Sequence, residues 1–257
     1  MKPTLCIAST RTPDGGLLNL MEHDGEFIFR FQRQDLMTSR QHHSEVELAT
    51  LGCNRLAGCH QSSVLIGGLG MGYTLRQVVN LLTSDSKILV VELLPDVAEW
   101  NQSRIGHLAD HPLRDARVTM EIGDVARRIT ASKDEFDTIL LDVDNGPDAL
   151  AHQGNARLYS RDGIQACSRA LHDRGALAVW SAASDKGFER RLQQVFPHVR
   201  RYRSAAYPGS RTQNRFIWVA SRDRRALPAG GGEPRPLFSA PAPSKTPQKK
   251  RTTSRWK

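Results

Sequence analysis

The sequence predicts an α/β protein in which a mostly parallel sheet is covered by helices on both faces and is preceded by a small β region. Between residues 64 and 181, five short apolar runs alternate with helical patterns. Such alternation gives parallel strands that are joined by crossover helices. Residues 1–40 differ, because their strand patterns are separated by hairpin turn signals.

The N-terminal β region is predicted from three strand-like segments. LCIAST, LLNLMEH and EFIFRFQ are separated by PDGG and DG, which favour tight turns. A helical pattern follows in SEVELATLGCNRLAG, with Ser44 as the expected N-cap.

The main sheet is predicted from the apolar runs that come next, which have the length and composition of buried strands. These runs are VLIGG, KILVVE, VTMEIGD, DTILLDVD and GALAVWS. The helical patterns are TLRQVVNLLT, PDVAEWNQSRI, SRDGIQACSRALHD and FERRLQQVF. We expect Ser160 to cap the third of these helices and Gly175 to end it. HVRRYRS and RFIWVAS are expected to form a final strand pair.

Length and composition limit the protein class. The 257 residues suit one domain of ordinary size, and no apolar run approaches the roughly 18 residues needed to span a bilayer. The N-terminal segment lacks the long apolar stretch of a signal peptide, so we expect a cytoplasmic protein without membrane insertion. The four cysteines show no C-x-x-C spacing, and neither a metal site nor a disulfide framework is expected.

The positive charge is concentrated at the C-terminus. Residues 222–257 contain ten lysines and arginines against two acidic residues, so they hold +8 of the net charge of +9. Their Pro, Gly, Ala and Ser content predicts a disordered, solvated tail, with weak contact to nucleic acid or an anionic surface as the alternative. We therefore divide the chain into an N-terminal β-hairpin region (1–43), a main α/β domain (44–221) and a basic tail (222–257).

A glycine-rich turn follows the first strand of the main domain. It contains Gly67, Gly68, Gly70 and Gly72 and leads directly into a helix. The spacing differs from the dinucleotide fingerprint, whose last position would be Tyr73, and no Gly-Lys-Ser/Thr follows as in a P-loop. Such a turn lets a ligand approach the backbone at the positive end of a helix.

Acidic residues end the next three strands. Glu92 ends KILVVE, Asp124 follows the third strand, and Asp142 follows the fourth. A carboxylate at the end of the second strand can accept both ribose hydroxyls, and one at the third can meet an adenine amino group. Each acid alone is more often a helix cap or a turn residue. Because the carboxyl ends of parallel strands meet at one crevice, the group together predicts a nucleoside site.

These motifs resemble the class I S-adenosylmethionine-dependent methyltransferase fold, which is Rossmann-like with a seven-stranded sheet. Within that fold the chain is most similar to the spermidine synthase family, over roughly residues 15–220. The resemblance rests on the order of six segments: SEVELATL, VLIGGLGMGYTLRQ, ILVVELLPDVAEW, IGDVARRI, FDTILLDVDNGP and LYSRDGIQACSRAL.

The resemblance assigns roles to the site residues. It implies that Glu92 holds the ribose, that Asp124 holds the adenine, and that the glycine loop holds the methionine-derived chain. Asp142 would be the catalytic acid or base. A homodimer is implied by the resemblance alone.

The chain departs from the family where the acceptor and the end of the donor would bind. Spermidine synthases carry an aspartate in the glycine loop that meets the amine of decarboxylated S-adenosylmethionine and repels a carboxylate. No acidic residue lies between Gly67 and Gly72 here, and a second family acid falls on Asn145. A family loop acid falls near Ser39, and a family tyrosine falls on His43. We therefore expect ordinary S-adenosylmethionine as the donor and methyl transfer as the reaction.

The expected acceptor is a small molecule, and an amine is one candidate. Asp142 is our candidate base, because an amine must lose a proton to become nucleophilic. We place Asp144, Glu45, His43 and Tyr159 around the acceptor. Asp144 could equally be part of a D-N-G-P turn, and Tyr159 could equally be a hydrophobic helix staple.

Two other functions remain open from the sequence. The first is aminopropyl transfer from decarboxylated S-adenosylmethionine, as in spermidine and other polyamine synthases. The second is a non-catalytic nucleoside-binding protein, which the acid at the reactive end of the crevice disfavours. A near-neutral folded part also argues against a nucleic-acid groove.

Overall fold

The structure, a computed structural model, describes residues 3–143, 156–210 and 212–233. It begins with a four-stranded antiparallel sheet in the order β1-β2-β3-β4. Its strands are β1 (Leu5–Arg11), β2 (Leu17–His23), β3 (Glu26–Phe31) and β4 (Gln34–Thr38). The turn between β2 and β3 has positive φ at Asp24 (50°) and Gly25 (79°), as the D-G signal predicts for a tight hairpin.

The second sheet has seven strands in the order β10-β11-β9-β8-β5-β6-β7. They are β5 (Ser63–Gly67), β6 (Lys87–Glu92), β7 (Val118–Ile122), β8 (Phe136–Leu141), β9 (Leu171–Ser181), β10 (His198–Ser204) and β11 (Arg215–Ser221). Strands β5 to β9 pair in parallel, whereas β11 is antiparallel to both β9 and β10. The predicted fold class is confirmed.

In the described residues, six α-helices cover the two faces of this sheet. They are α1 (His43–Gly52), α2 (Tyr73–Leu81), α3 (Pro95–Ser103), α4 (Val125–Ala131), α5 (Arg161–Ala170) and α6 (Lys186–Val195). One apolar core joins α1, α2 and α3 to the N-terminal sheet, for example through Leu48, Val78, Val97 and Leu20. The other core joins α4, α5 and α6 to the opposite face.

Two predicted helix boundaries are wrong. The residue before α1 is His42, and the Ser44 hydroxyl donates to the Glu45 carboxylate at 2.6 Å instead of capping the helix. Ser160 does cap α5, accepting from the Gly163 N–H at 3.1 Å. That helix ends at Ala170, however, because the next residue is already extended and begins β9, so Gly175 lies inside a strand.

The folded part extends beyond residue 222, where we expected the tail to begin. Residues 224–226 form a short 3-10 helix. The Tyr202 hydroxyl donates to the Pro228 carbonyl at 2.7 Å, and Arg201 and Gly232 exchange two backbone hydrogen bonds of 2.9 and 2.8 Å. Pro228 and Gly232 therefore contact β10, and the rest of the predicted tail after residue 233 lies outside the described residues. Among the helices of the described ranges, none is long and apolar enough to cross a membrane.

Candidate active site

A cleft lies at the carboxyl ends of the central strands. The chain runs from β5 to β6 on one side and returns to β8 on the other, so the strand order reverses next to β5. Crevices at such points are the usual ligand sites of open α/β sheets. The free space in this cleft, counted out to its open mouth, is about 1000 Å³. Its walls include Gly68, Gly70, Glu92, Asp124 and Asp142.

The glycine loop passes close to the end of β8. Gly68 has φ of +88°, and a Cβ there would lie 2.3 Å from the Asp142 carbonyl oxygen. Only glycine fits both the left-handed backbone and this approach. Gly67 is the last residue of β5, and Gly72 precedes α2 in the left-handed region with φ of 86°. The loop therefore brings the backbone and Asp142 to one wall of the cleft.

Glu92 is buried at the end of β6 and faces the loop. One carboxylate oxygen accepts the Leu69 N–H at 2.9 Å, and the other accepts the Leu94 N–H at 2.9 Å. Glu92 thus fixes the loop and borders the cleft at the same time. Its contact with a ribose stays a prediction.

Asp124 follows β7 and caps α4. Its Oδ1 accepts the Ala126 N–H at 2.8 Å, while Oδ2 lies 3.2 Å from an Arg157 guanidinium nitrogen. Asp124 also lines the cleft, beside Gly123 and Val125. The helix-cap alternative for this acid is therefore correct, and its contact with adenine stays a prediction.

Asp142 and Glu45 are linked through one threonine. The Thr74 hydroxyl, in the first turn of α2, donates to Asp142 Oδ2 at 2.8 Å and lies 3.4 Å from the Glu45 backbone carbonyl. Glu45 lies in the first turn of α1 and is only 5% exposed. The fold therefore brings α1, α2 and β8 together around two carboxyl groups.

Both carboxyl groups hold protons more tightly than usual. Burial raises the pKa of Asp142 to about 6, and the Thr74 hydrogen bond partly opposes this shift. Burial first, and then the negative charge of Asp142, raises the pKa of Glu45 to about 8, although the Ser44 hydroxyl favours its ionised form. At neutral pH the pair can therefore carry one negative charge and exchange one proton.

Two of the residues predicted to bind the acceptor, His43 and Tyr159, are not on the cleft wall. His43 faces away along α1, where its Nε2 lies 3.7 Å from a Glu47 oxygen. Tyr159 is buried in the core, and its hydroxyl donates to the Val143 carbonyl at 3.3 Å. Neither residue borders the cleft, and Glu45 lies behind it. Asp144 lies outside the described residues.

Several cleft residues were missed by the sequence reasoning. The N-terminal sheet supplies one wall through Thr12, Leu18, Phe29, Leu36 and Met37, and β9 supplies Trp180. No local pattern marks these residues, because their place in the wall depends on how the small sheet docks on α3. The Phe29 and Trp100 rings, 5.8 Å apart, form part of that contact. Thr74, in contrast, directly follows the glycine loop and could have been proposed from its position.

Comparison with known proteins places the chain in one family. Residues 48–206, more than half of the chain, match the spermine/spermidine synthase domain family. A polyamine aminopropyltransferase of Saccharolobus solfataricus is 26% identical over 127 residues, which are 49% of this chain and 41% of that protein. The chain therefore aligns with less than half the length of this relative.

Solved structures share the fold. The spermidine synthase from Thermotoga maritima has a TM-score of 0.68 at 22% identity, over 87% of this chain and 76% of that one. A spermidine synthase in complex with the transition state analogue AdoDATO has a TM-score of 0.67 at 22% identity. The match covers 87% of this chain and 75% of that one. A probable spermidine synthase from Corynebacterium glutamicum has a TM-score of 0.63 at 17% identity. The match covers 91% of this chain and 90% of that one.

These matches correct one prediction and confirm another. The expectation of methyl transfer is wrong, because both the family and the curated relative are named for polyamine synthesis by aminopropyl transfer. The absence of an acid from the glycine loop received too much weight in that expectation. The predicted resemblance to the spermidine synthase family is confirmed. The chain belongs to the spermine/spermidine synthase family.

Proposed function

We propose that this protein transfers an aminopropyl group from decarboxylated S-adenosylmethionine to the amine of a small acceptor. The observation that carries the proposal is the pair of carboxyl groups at one end of the cleft, Asp142 on its wall and Glu45 behind it. A cationic amine is attracted to such a pair, and a nearby carboxylate can take its proton. Membership of the spermine/spermidine synthase family supports the same reaction.

The donor half of the cleft has groups that suit a nucleoside. Glu92 is a carboxylate on the cleft wall, and such a group can accept hydrogen bonds from ribose hydroxyls. Hydrogen bonds to a charged group contribute on the order of 1.5–3 kcal/mol each. Leu94, Val97 and Val125 supply apolar wall, and Asp124 borders the same region. Apolar side chains for a base and carboxylates for polar groups therefore line the same part of the cleft.

The reaction needs alignment and one proton transfer. The donor supplies a carbon that is already activated by a sulfonium. The acceptor nitrogen attacks this carbon, a C–N bond forms, the C–S bond breaks, and sulfur leaves as the neutral thioether of methylthioadenosine. An acceptor that arrives as an ammonium ion has no free lone pair, so Asp142 takes one proton from it before the attack, and the product nitrogen remains a secondary ammonium. A base with a pKa of about 6 is well matched to neutral pH.

The glycine loop has no acidic side chain to meet the terminal ammonium of the donor. Leu69 and Met71 point into the core and are 4% and 0% exposed. We assign the negative charge that this ammonium needs to Asp142, with Glu45 behind it. The roles of Asp144, His43 and Tyr159 at the acceptor, a homodimer, and an anionic contact of the tail all stay predictions.

The test is release of methylthioadenosine by the purified full chain. Decarboxylated S-adenosylmethionine is offered with a panel of diamines and longer polyamines. We expect turnover with at least one amine and a loss of about 10²–10⁴-fold in kcat for Asp142→Asn. Asp137→Asn is the matched control, because this residue lies near the opposite end of β8 and accepts the Ser63 N–H at 2.9 Å. An Asp142→Asn enzyme as fast as the control would contradict the assignment.

A further inference from the structure

Asn101 connects α3 to the middle of the glycine loop. The residue is 3% exposed, and its side-chain Nδ2 donates to the Gly70 carbonyl at 2.8 Å and to the Val97 carbonyl at 2.9 Å. The second bond lies within the helix. The first reaches 31 residues back along the chain and ends on a residue that lines the cleft.

The loop is held by different groups at its ends and at its centre. At its start, the Gly68 N–H donates to the Val91 carbonyl and the Leu69 N–H donates to Glu92, both at 2.9 Å. At its end, the Gly72 N–H donates to the Leu69 carbonyl at 2.9 Å. The peptide that joins Gly70 to Met71 receives its bond from a side chain, that of Asn101.

This bond sets the direction of the central peptide. The carbonyl and N–H of a trans peptide point in opposite directions, so a Gly70 carbonyl held towards α3 turns the Met71 N–H away from α3. Gly70 has φ of +53°, and glycine also populates the opposite region readily. Without the bond to Asn101, the peptide would have more than one accessible orientation on the wall of the cleft.

Packing alone does not account for an asparagine at this position. Among the described residues, the Asn101 Oδ1 is buried without a hydrogen-bond partner. A buried polar atom without a partner destabilises the folded protein, and an apolar side chain of similar volume would avoid that cost. The hydrogen bond from Asn101 Nδ2 to the Gly70 carbonyl therefore explains why an asparagine occupies this position.

We infer that Asn101 is a positioning residue that fixes the Gly70–Met71 peptide for binding of the donor. The inference rests on the proposed function, because it assigns the glycine loop to the donor's aminopropyl chain. Asn101 lines no part of the cleft and acts through the loop. Its loss should therefore weaken donor binding and leave the binding of the amine acceptor unchanged.

The experiment compares three variants of the full chain. Asn101→Ser removes the bond to Gly70, while a serine hydroxyl can still donate to the Val97 carbonyl one turn back. Asn101→Leu removes both bonds. Ser103→Ala is the control, because it deletes an exposed bond to the Glu99 carbonyl in the same helix without touching the loop. Calorimetry gives the Kd for decarboxylated S-adenosylmethionine and for methylthioadenosine, and kinetics give the KM of the amine.

We expect the Kd of the donor to rise about five- to tenfold in Asn101→Ser and in Asn101→Leu, and to stay unchanged in Ser103→Ala. The Kd of methylthioadenosine, which lacks the aminopropyl chain, and the KM of the amine should change less than twofold. If Asn101→Ser binds the donor with an unchanged Kd, the inference about Asn101 is wrong, although the proposed function still stands. The same holds if neither Asn101 variant folds. Failure of the wild-type protein to bind the donor would overturn the proposed function as well.

Discussion

The Thr74 hydroxyl lies 2.8 Å from Asp142 and is the group that tunes this carboxylate. Replacing the threonine by valine keeps the shape of the side chain and removes the hydrogen bond. The bond lowers the pKa of Asp142 against the effect of burial, so its loss should raise that pKa further. In Thr74→Val the acidic limb of the kcat/KM profile should move up by about one pH unit. At high pH the rates of variant and wild type should converge.

The pH–rate profile of a matched variant controls this result. Thr50→Val removes a hydroxyl that donates to the Val46 carbonyl at 2.8 Å on the exposed side of α1. Its acidic limb should coincide with that of the wild type. An unmoved limb in Thr74→Val would show that Asp142 is not the titrating base.

Glu45 should make the protein less stable as the pH rises. Its pKa is raised from 4.5 to about 8 in the folded state, so the folded protein holds a proton that the unfolded chain releases. The contribution of Glu45 to the free energy of unfolding is therefore greatest below pH 4.5, which is the pKa of the unfolded chain. This contribution falls as the pH rises from 4.5 towards 8. Glu45→Gln keeps an acceptor for Ser44 but does not titrate, so its unfolding free energy should fall less between pH 5 and pH 8.

Urea unfolding at these two pH values measures the difference. Glu47→Gln serves as the control, since that residue lies in the same helix, half-exposed beside His43. Its loss of stability between the two pH values should match the wild type. An equal loss in Glu45→Gln would contradict the raised pKa.

Gly68 should tolerate no side chain. In Gly68→Ala the new Cβ would lie 2.3 Å from the Asp142 carbonyl oxygen, on a backbone with φ of +88°. We expect the unfolding free energy to fall by about 2–5 kcal/mol, from left-handed strain together with overpacking. Gly58→Ala separates the two effects, because its φ is +76° and its Cβ would meet nothing within 4 Å. That variant should lose only about 1–2 kcal/mol.

Glu92 should control donor binding. In Glu92→Gln one oxygen becomes an NH₂ group, which faces a backbone N–H of Leu69 or Leu94 in place of an acceptor. Loop order and a ribose contact are then lost together, and the Kd of methylthioadenosine should rise at least about tenfold. Glu99→Gln, an exposed change in α3, is the control for calorimetry. If Glu92→Gln and Glu99→Gln bind methylthioadenosine with the same Kd, Glu92 does not contribute to nucleoside binding.

The sequence predicted the fold well because its main signals are local. The apolar runs that became β5 to β9, the turn at Asp24-Gly25 and the cap at Ser160 need only a few neighbouring residues to be recognised. The strand-end acids were also found, since the topology of a parallel sheet brings its carboxyl ends together. Ser44 failed as a cap because its hydroxyl instead serves Glu45, a contact that burial of α1 favours.

The chemistry was harder to predict because it depends on contacts between distant segments. An absent loop acid is visible in the sequence, and the family resemblance already placed Glu45 near Asp142. The threonine that links them, Thr74, is apparent only from the packing of α1 and α2 against β8. The wall formed by Phe29 and Met37 has the same origin, in the docking of the N-terminal sheet. Local patterns do not encode such distances.

The most direct test of the account identifies the product by mass spectrometry. The purified full chain is incubated with decarboxylated S-adenosylmethionine and a diamine, with Asp142→Asn as the control. We predict a diamine that has gained one aminopropyl group, together with an equal amount of methylthioadenosine, and almost none of either from the variant. An unchanged diamine across the amine panel, although the donor binds, would contradict aminopropyl transfer as the function of this protein.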